Sequence, residues 1–307
     1  MNITIFGAAG FIGTNLIINL AKDSSNTITA VDKNIAYFDN LKKMGFKNVN
    51  FAVSDFTSYS NYDSLLEGRE TVFHLVSTTF PASSNKNIRK ELNSNIGFSS
   101  NLFDSCARQN VKKIVFLSSG GAVYGKDATC PINENAAVNP ISSYGLQKLA
   151  IEKMLSLYNY MYGIDYRIVR LSNPYGPYQR PDSGLGVVST FVYKALKGEE
   201  AVVYGDGSAV RDFIYIDDAV RGILKIADGN DKNCLFNLGC GYGTSINQLI
   251  ETIENTLGVR VNVKYADKRN TDVPVNYLDI GKFENTYGKL DPIKLENGIK
   301  LNVSKFS

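Results

Sequence analysis

The chain has 307 residues, 44% of them hydrophobic, which is enough apolar surface for a core and more chain than one simple core usually takes up. A net charge of +3, from 33 bases against 30 acids, is too even for a nucleic-acid binder, and no stretch has the ~20 uninterrupted apolar residues that cross a bilayer. Four scattered cysteines with no CxxC pair, and a single histidine, argue against a metal centre and for a cytoplasmic protein with reduced thiols.

Strand-like and helix-like segments alternate along the first half. Asn2–Phe6 reads as a short apolar strand, and Phe11–Ala21 as a helix with Ile12, Leu16, Ile17 and Leu20 at helical spacing. Further strands are predicted at Thr27–Val31 with Asp32 at its end, Val49–Val53 with Asp55 just beyond, and Thr71–Val76. A helix over Asn95–Asn110, a buried strand over Lys113–Ser118, a long helix over Ser143–Tyr162 and a strand over Asp165–Leu171 complete the series. Such alternation predicts an α/β fold: a Rossmann-type, doubly wound parallel sheet over residues 1–172. After Asn173, prolines 174, 177 and 181 break the pattern. Residues 173–307 are assigned to a smaller mixed α/β substrate domain, with a segment near 212–241 expected to return to the main sheet. Helices are expected at Thr190–Lys197, Asp217–Ile226 and Ser245–Leu257.

The run Gly7-Ala8-Ala9-Gly10-Phe11-Ile12-Gly13 follows a strand and opens a helix. Gly7 allows a sharp turn, Gly10 a close backbone approach, and Gly13 tight packing of helix on sheet. Phe11 and Ile12 begin the helix, whose free N–H groups and partial positive charge suit a pyrophosphate. Asp32 stands 19 residues after Gly13. A carboxylate there accepts hydrogen bonds from ribose hydroxyls and repels a 2′-phosphate, which favours NAD over NADP. Asp55 is a further acid at a strand end, placed to bond the adenine amino group.

Tyr144 and Lys148 lie four apart on one face of the long helix, after a serine able to cap it. A free phenol, with a pKa of about 10, is a poor base near neutrality. An ammonium one turn away, together with a nicotinamide's positive charge, favours the phenolate and brings it toward the working pH. Lys148 is also placed to hold the nicotinamide ribose.

Taken together, these motifs resemble the extended short-chain dehydrogenase/reductase superfamily, and within it the UDP-glucose 4-epimerase-like group. The resemblance covers nearly the whole chain. It rests on GAAGFIG at Gly7–Gly13, Asp32, HLVS at His74–Ser77, SSGGAVYG at Ser118–Gly125 and SSYGLQK at Ser142–Lys148. RLSNPYGP at Arg170–Pro177, YGDGSAVRDFIYIDD at Tyr204–Asp218 and DVPVNYLD at Asp272–Asp279 extend it. It implies that Tyr144 transfers the proton with Lys148 as its partner. It implies that Val76 and Ser118 line the cofactor, and that Thr78, Asn173, Arg211 and Arg269 hold substrate, the arginines by gripping phosphate oxygens bidentately. Asn276 matches a position whose bulk limits access for N-acetyl sugars. Asn95 and the lone His74 match structural positions, and Tyr124 a packing position.

One departure stands out. The family places a serine or threonine four residues before the VYG tyrosine, and here that residue is Gly120. Ser119 is the adjacent hydroxyl and is counted in the catalytic set, although in a strand a neighbouring side chain points to the other face. Ser77 and Thr78 are alternative sources, as is a water. The function expected is a 4-epimerase working through a transient 4-keto sugar. An NDP-4-keto-6-deoxyhexose reductase using the same pair, and a non-catalytic NAD-binding scaffold, are the other readings. A 4,6-dehydratase fits less well, because Gly120-Gly121-Ala122 offers no acid or base. The helices Asn95–Asn110 and Ser143–Tyr162 resemble those with which the family builds homodimers.

Overall fold

The computed structural model describes residues 1–56, 61–80, 84–181, 186–269 and 272–303. Six strands open the main sheet: β1 (Asn2–Phe6), β2 (Thr27–Asp32), β3 (Val49–Val53), β4 (Thr71–His74), β5 (Lys113–Ser119) and β6 (Asp165–Leu171). Between them run α1 (Phe11–Leu20), α2 (Asp39–Lys43), α3 (Asp63–Leu66), α4 (Ile88–Arg108) and α5 (Ser143–Tyr162). The sheet has seven strands, in the order β3-β2-β1-β4-β5-β6 and then Cys234–Leu238, the segment expected to return to it. β1 pairs in parallel with β2 and β4, β2 with β3, and β4 with β5. β2 and β5 are buried along almost their whole length, as strands covered on both faces must be. The chain winds one way from β1 to β3 and the other way from β4, so the order reverses between β1 and β4. In such sheets the crevice beyond the carboxyl ends at the reversal holds the ligand.

α4 begins seven residues before the predicted Asn95, at Ile88. Asn87 caps it, its side chain accepting from the Lys90 N–H at 3.1 Å. The first two turns, IRKELNS, are mostly polar, so hydrophobic periodicity becomes readable only near Asn95. α2, α3 and the helix Gly281–Tyr287 were also not anticipated, being too short to display a period, and Leu295–Val303 is a further helix absent from the sequence reading.

The chain divides into two compact units. The first comprises Met1–Ser118, Ser142–Val169 and Ile226–Leu235. Its core is built around Phe6, which meets Tyr62 edge-on at 5.5 Å and lies 6.0 Å from Phe98. Full burial of each such ring contributes roughly 1.5–3 kcal/mol. Arg167 is wholly buried, ion-paired with Asp165, and donates to the carbonyls of Ile226 and Gly229. Lys113 donates to the Ala227 carbonyl at 2.5 Å. Two cations therefore satisfy backbone acceptors at the end of the helix Ile216–Asp228, where its dipole is negative.

The second unit comprises Ser119–Ile141, Arg170–Lys225 and Phe236–Ser307. A single boundary after residue 172 is therefore too simple, because 119–141 belongs with this unit. The cause is backbone pairing: Ile132 N–H donates to the Tyr277 carbonyl at 3.0 Å, and Asp279 N–H to the Ile132 carbonyl at 2.8 Å. The unit is mixed α/β, with small sheets. Asn173–Tyr175 runs parallel to Phe213–Tyr215, and Glu200–Tyr204 to Asn262–Ala266. Val210–Arg211 lies between Thr244–Ser245 and Val275–Asn276. Among the described residues no helix is long and apolar enough to cross a membrane, and the four cysteines are free thiols.

Candidate active site

At the carboxyl end of β1 the glycine run forms a cradle. Gly7 has φ +81°, and a Cβ there would lie 3.0 Å from the backbone of Leu75 and Val76, which leave β4 alongside. A Cβ on Gly13 would sit 2.5 Å from the Gly7 carbonyl oxygen and 2.6 Å from that of Ala8, so only glycine lets α1 pack on its own approach loop. Gly10 is the N-cap of α1, with no side-chain cap and no acid in the first turn, before Phe11 and Ile12. The helix end thus keeps its positive field for an incoming anion, and this cradle fits the pyrophosphate of a dinucleotide. Asp32 closes β2, and its Oδ2 accepts from the Ala9 N–H at 2.9 Å, tying the strand-end acid to the glycine loop. Asp55 lies exposed just beyond β3, and its carbonyl accepts from the Tyr62 hydroxyl at 3.3 Å.

α5 starts at Ser143, capped by Ser142, whose hydroxyl oxygen accepts from the Gly145 N–H at 3.1 Å. Tyr144 is half-buried in its first turn, and Lys148 follows one turn later, 5% exposed. Lys148 Nζ lies 5.9 Å from the centre of the Tyr144 ring and 4.8 Å from that of Phe116. It donates one of its three N–H bonds to the Leu117 carbonyl of β5 at 2.7 Å. Burial pulls this ammonium down to about 8. Ser118, read from sequence as a cofactor contact, donates its hydroxyl to the buried Glu152 at 2.5 Å.

The loop after β4 is fixed from α4 and α5. Asn95 Oδ1 accepts from the Thr78 N–H at 2.9 Å, and its amide donates to the Thr78 hydroxyl at 2.8 Å. Gln147 faces the Thr79 hydroxyl at 3.0 and 3.2 Å. Ser77 turns its hydroxyl to the Thr79 carbonyl at 2.8 Å. His74 is enclosed by Phe98, Phe103 and Phe116, with Nε2 2.7 Å from the Ser99 hydroxyl. Burial, reinforced by the Lys148 charge, holds its pKa well below the usual imidazole range. This is a packed, neutral imidazole.

In the second unit, β5 ends at Ser119, whose carbonyl accepts from the N–H groups of Ala122 and Val123 at 3.3 and 3.2 Å. The chain therefore turns at Ser119 rather than continuing extended through Gly120. Asn173, Arg211 and Asn276 come together here. Arg211 stands opposite Asn276 in register, and both the backbone and side-chain N–H groups of Asn173 donate to the Asp212 carbonyl at 3.0 Å. The Asp212 carboxylate is fully buried and receives the Cys240 N–H at 2.8 Å and the Leu278 N–H at 3.3 Å. Arg269 pairs with Asp272 at 3.0 Å and stacks on Tyr204 at 4.2 Å. Burial first, with Arg269 adding to it and Asp272 opposing, lowers the Arg211 pKa. Two guanidiniums within electrostatic reach of each other suit a doubly charged ligand group. Asn276 is buried, donates to the Gly120 carbonyl at 3.2 Å, and has Oδ1 without a hydrogen-bond partner among the described residues. Tyr124 is a packing residue here, its hydroxyl on Asn237 Oδ1 at 2.7 Å and its ring under Arg170.

Sequence reasoning missed Gln147 and Glu152. Glu152 continues the spacing of four from Tyr144 and Lys148, a signal that an ordinary exposed i,i+4 ion pair also gives.

The sequence model of the NAD dependent epimerase/dehydratase family matches residues 3–239. The UDP-glucose 4-epimerase of Thermotoga maritima, solved with UDP-glucose, is similar at a TM-score of 0.91 and 33% identity, over 100% of this chain and 98% of that one. The UDP-N-acetylglucosamine 4-epimerase of Methanobrevibacter ruminantium, solved with UDP-N-acetylmuramic acid, gives a TM-score of 0.90 at 31% identity, over 99% and 97%. The dTDP-4-dehydro-6-deoxyglucose reductase of Escherichia coli is 30% identical over 305 residues, 97% of this chain and 95% of that protein.

Proposed function

The chain belongs to the NAD dependent epimerase/dehydratase family, and on that premise we propose that it is a 4-epimerase of UDP-hexoses. The observation that carries the reading is the Tyr144–Lys148 pair: a half-buried phenol with a buried ammonium one turn on, anchored to the Leu117 carbonyl. NAD, held by the glycine cradle and Asp32, would supply the hydride acceptor and donor for the sugar's C4. Tyr144, as phenolate, removes the proton of the 4-hydroxyl and gives it back to the inverted alkoxide. Lys148 holds the phenolate's charge, and Ser119 is the hydroxyl next in sequence to Gly120, where the side chain of the usual serine or threonine is missing. Asn173, Arg211 and Arg269 keep the diphosphate anchored while the ketosugar turns over, so that binding energy remote from C4 prevents escape. Val76, Ser118, Asp55 and Asp32 belong to the cofactor side of this reading, and Thr78 to the substrate side.

Asn276 supports acceptance of N-acetyl sugars alongside glucose and galactose, since it is mid-sized and its Oδ1 is free to accept from an amide N–H. The second reading, a reductase of 4-keto-6-deoxy sugars, is favoured by the 30% identity to the Escherichia coli reductase. Incubation with UDP-glucose, UDP-galactose, UDP-GlcNAc and a dTDP-4-keto-6-deoxyhexose, once without added cofactor and once with NADH, separates the two. Inversion with no added cofactor supports the epimerase, and turnover of 4-keto substrates only with stoichiometric NADH supports the reductase.

The same reading makes the protein a cytoplasmic homodimer. On α5, Leu157, Tyr160 and Met161 form an apolar stripe at helical spacing, 52%, 88% and 55% exposed, which a second copy would cover. Equilibrium sedimentation at a single-chain mass would contradict this.

A further inference from the structure

We propose that Glu152 is a positioning residue of the Tyr144–Lys148 pair: its carboxylate, buried one helical turn beyond Lys148 and held by the Ser118 hydroxyl, supplies the negative charge that balances the Lys148 ammonium beside the phenol. The inference rests on the proposed role of that pair.

Tyr144, Lys148 and Glu152 occur at intervals of four, so one face of α5 carries a phenol, an ammonium and a carboxylate in succession. Lys148 and Glu152 are 5% and 3% exposed. Consecutive residues of β5 fix both: the Leu117 carbonyl accepts from Lys148 at 2.7 Å, and the Ser118 hydroxyl donates to Glu152 at 2.5 Å. A buried carboxylate is costly unless a charge and a donor compensate it, and these two residues supply both. Among the described residues, the other groups facing Lys148 bring no carboxylate. His74, on β4, is held neutral by burial and adds no negative charge. Phe116 offers a ring face, Leu117 a neutral carbonyl, and Tyr144 the phenol itself. Burial lowers the Lys148 pKa, and Glu152 is the charge that opposes the fall.

Without the carboxylate, Lys148 would lose its proton at lower pH, and the phenol beside it would become a weaker acid over the same range. The test is the pH profile of kcat/KM for Glu152→Gln, Ser118→Ala and Tyr144→Phe beside the parent enzyme. The basic limb should move to lower pH by about one unit in Glu152→Gln and by less, in the same direction, in Ser118→Ala. Parent-like melting in Ser118→Ala keeps the test open should Glu152→Gln fold poorly, since a structural role alone would lower the rate at every pH without moving the limb. A limb unmoved in either folded variant overturns the proposal. If Tyr144→Phe is inactive in that case, the catalytic pair stands without Glu152. If Tyr144→Phe keeps full activity, the reading of the pair itself is overturned.

Discussion

Leu278 occupies the space that a side chain at position 120 would need: its Cδ1 and Cδ2 lie 2.6 and 2.9 Å from where a Cβ on Gly120 would stand. The Leu278 backbone is pinned by the Asp212 carboxylate and by its bridge to Ile132, so it cannot withdraw freely. Gly120 and Leu278 thus form a complementary pair. Introducing the hydroxyl the family usually carries, as Gly120→Ser, should cost roughly 1–3 kcal/mol of stability through overpacking. The double variant Gly120→Ser with Leu278→Ala should lose less than the two single variants summed, by about 0.5 kcal/mol or more. Denaturant midpoints of the four proteins measure this, and strict additivity would contradict it.

Gly13→Ala places a methyl 2.5 Å from the Gly7 carbonyl oxygen. The turn must open, which displaces the α1 N–H groups from a pyrophosphate. The variant should purify with less bound NAD and melt at a lower temperature. NAD retention equal to the parent's, read from absorbance after acid release, would place the pyrophosphate elsewhere.

Arg211→Gln removes the guanidinium of the residue that stands opposite Asn276 in register. If it grips the diphosphate, KM for the UDP-sugar should rise at least tenfold, with less effect on kcat, because the phosphate charge is present throughout the reaction. A change confined to kcat would assign the arginine to the reacting end instead.

His74 is the only histidine, so its NMR signals are unambiguous. Its native pKa is depressed by burial, so the unfolded chain takes up a proton first as the pH falls below about 6.5. This group therefore leaves stability unchanged above that range and erodes it below. The imidazole signals should not titrate between pH 8 and 5.5 while the protein is folded. A midpoint near 6.5 would show a solvated ring.

The sheet, the glycine cradle and the helix bearing Tyr144 were legible because each rests on local periodicity or a spacing rule. Asn2–Phe6, Val49–Val53 and Ser143–Tyr162 match their predicted bounds for that reason. What lay beyond the sequence was set by distant pairings. Nothing near Gly120 announces that Leu278 fills its space, nor that Ile132 carries residues 119–141 into the second unit. Ser119 illustrates the same limit. An unbroken strand would turn its side chain away, but β5 ends at that residue. Glu152 went unread for the same reason: its burial and its bond from the Ser118 hydroxyl are set by β5, 34 residues away.

The most direct test is conversion of UDP-glucose to UDP-galactose by the purified protein and by Tyr144→Phe, with no cofactor added. The parent should reach the equilibrium mixture, and the variant should be slower by about 10²–10⁴-fold while still retaining NAD. A Tyr144→Phe protein that epimerises at the parent's rate would contradict the account.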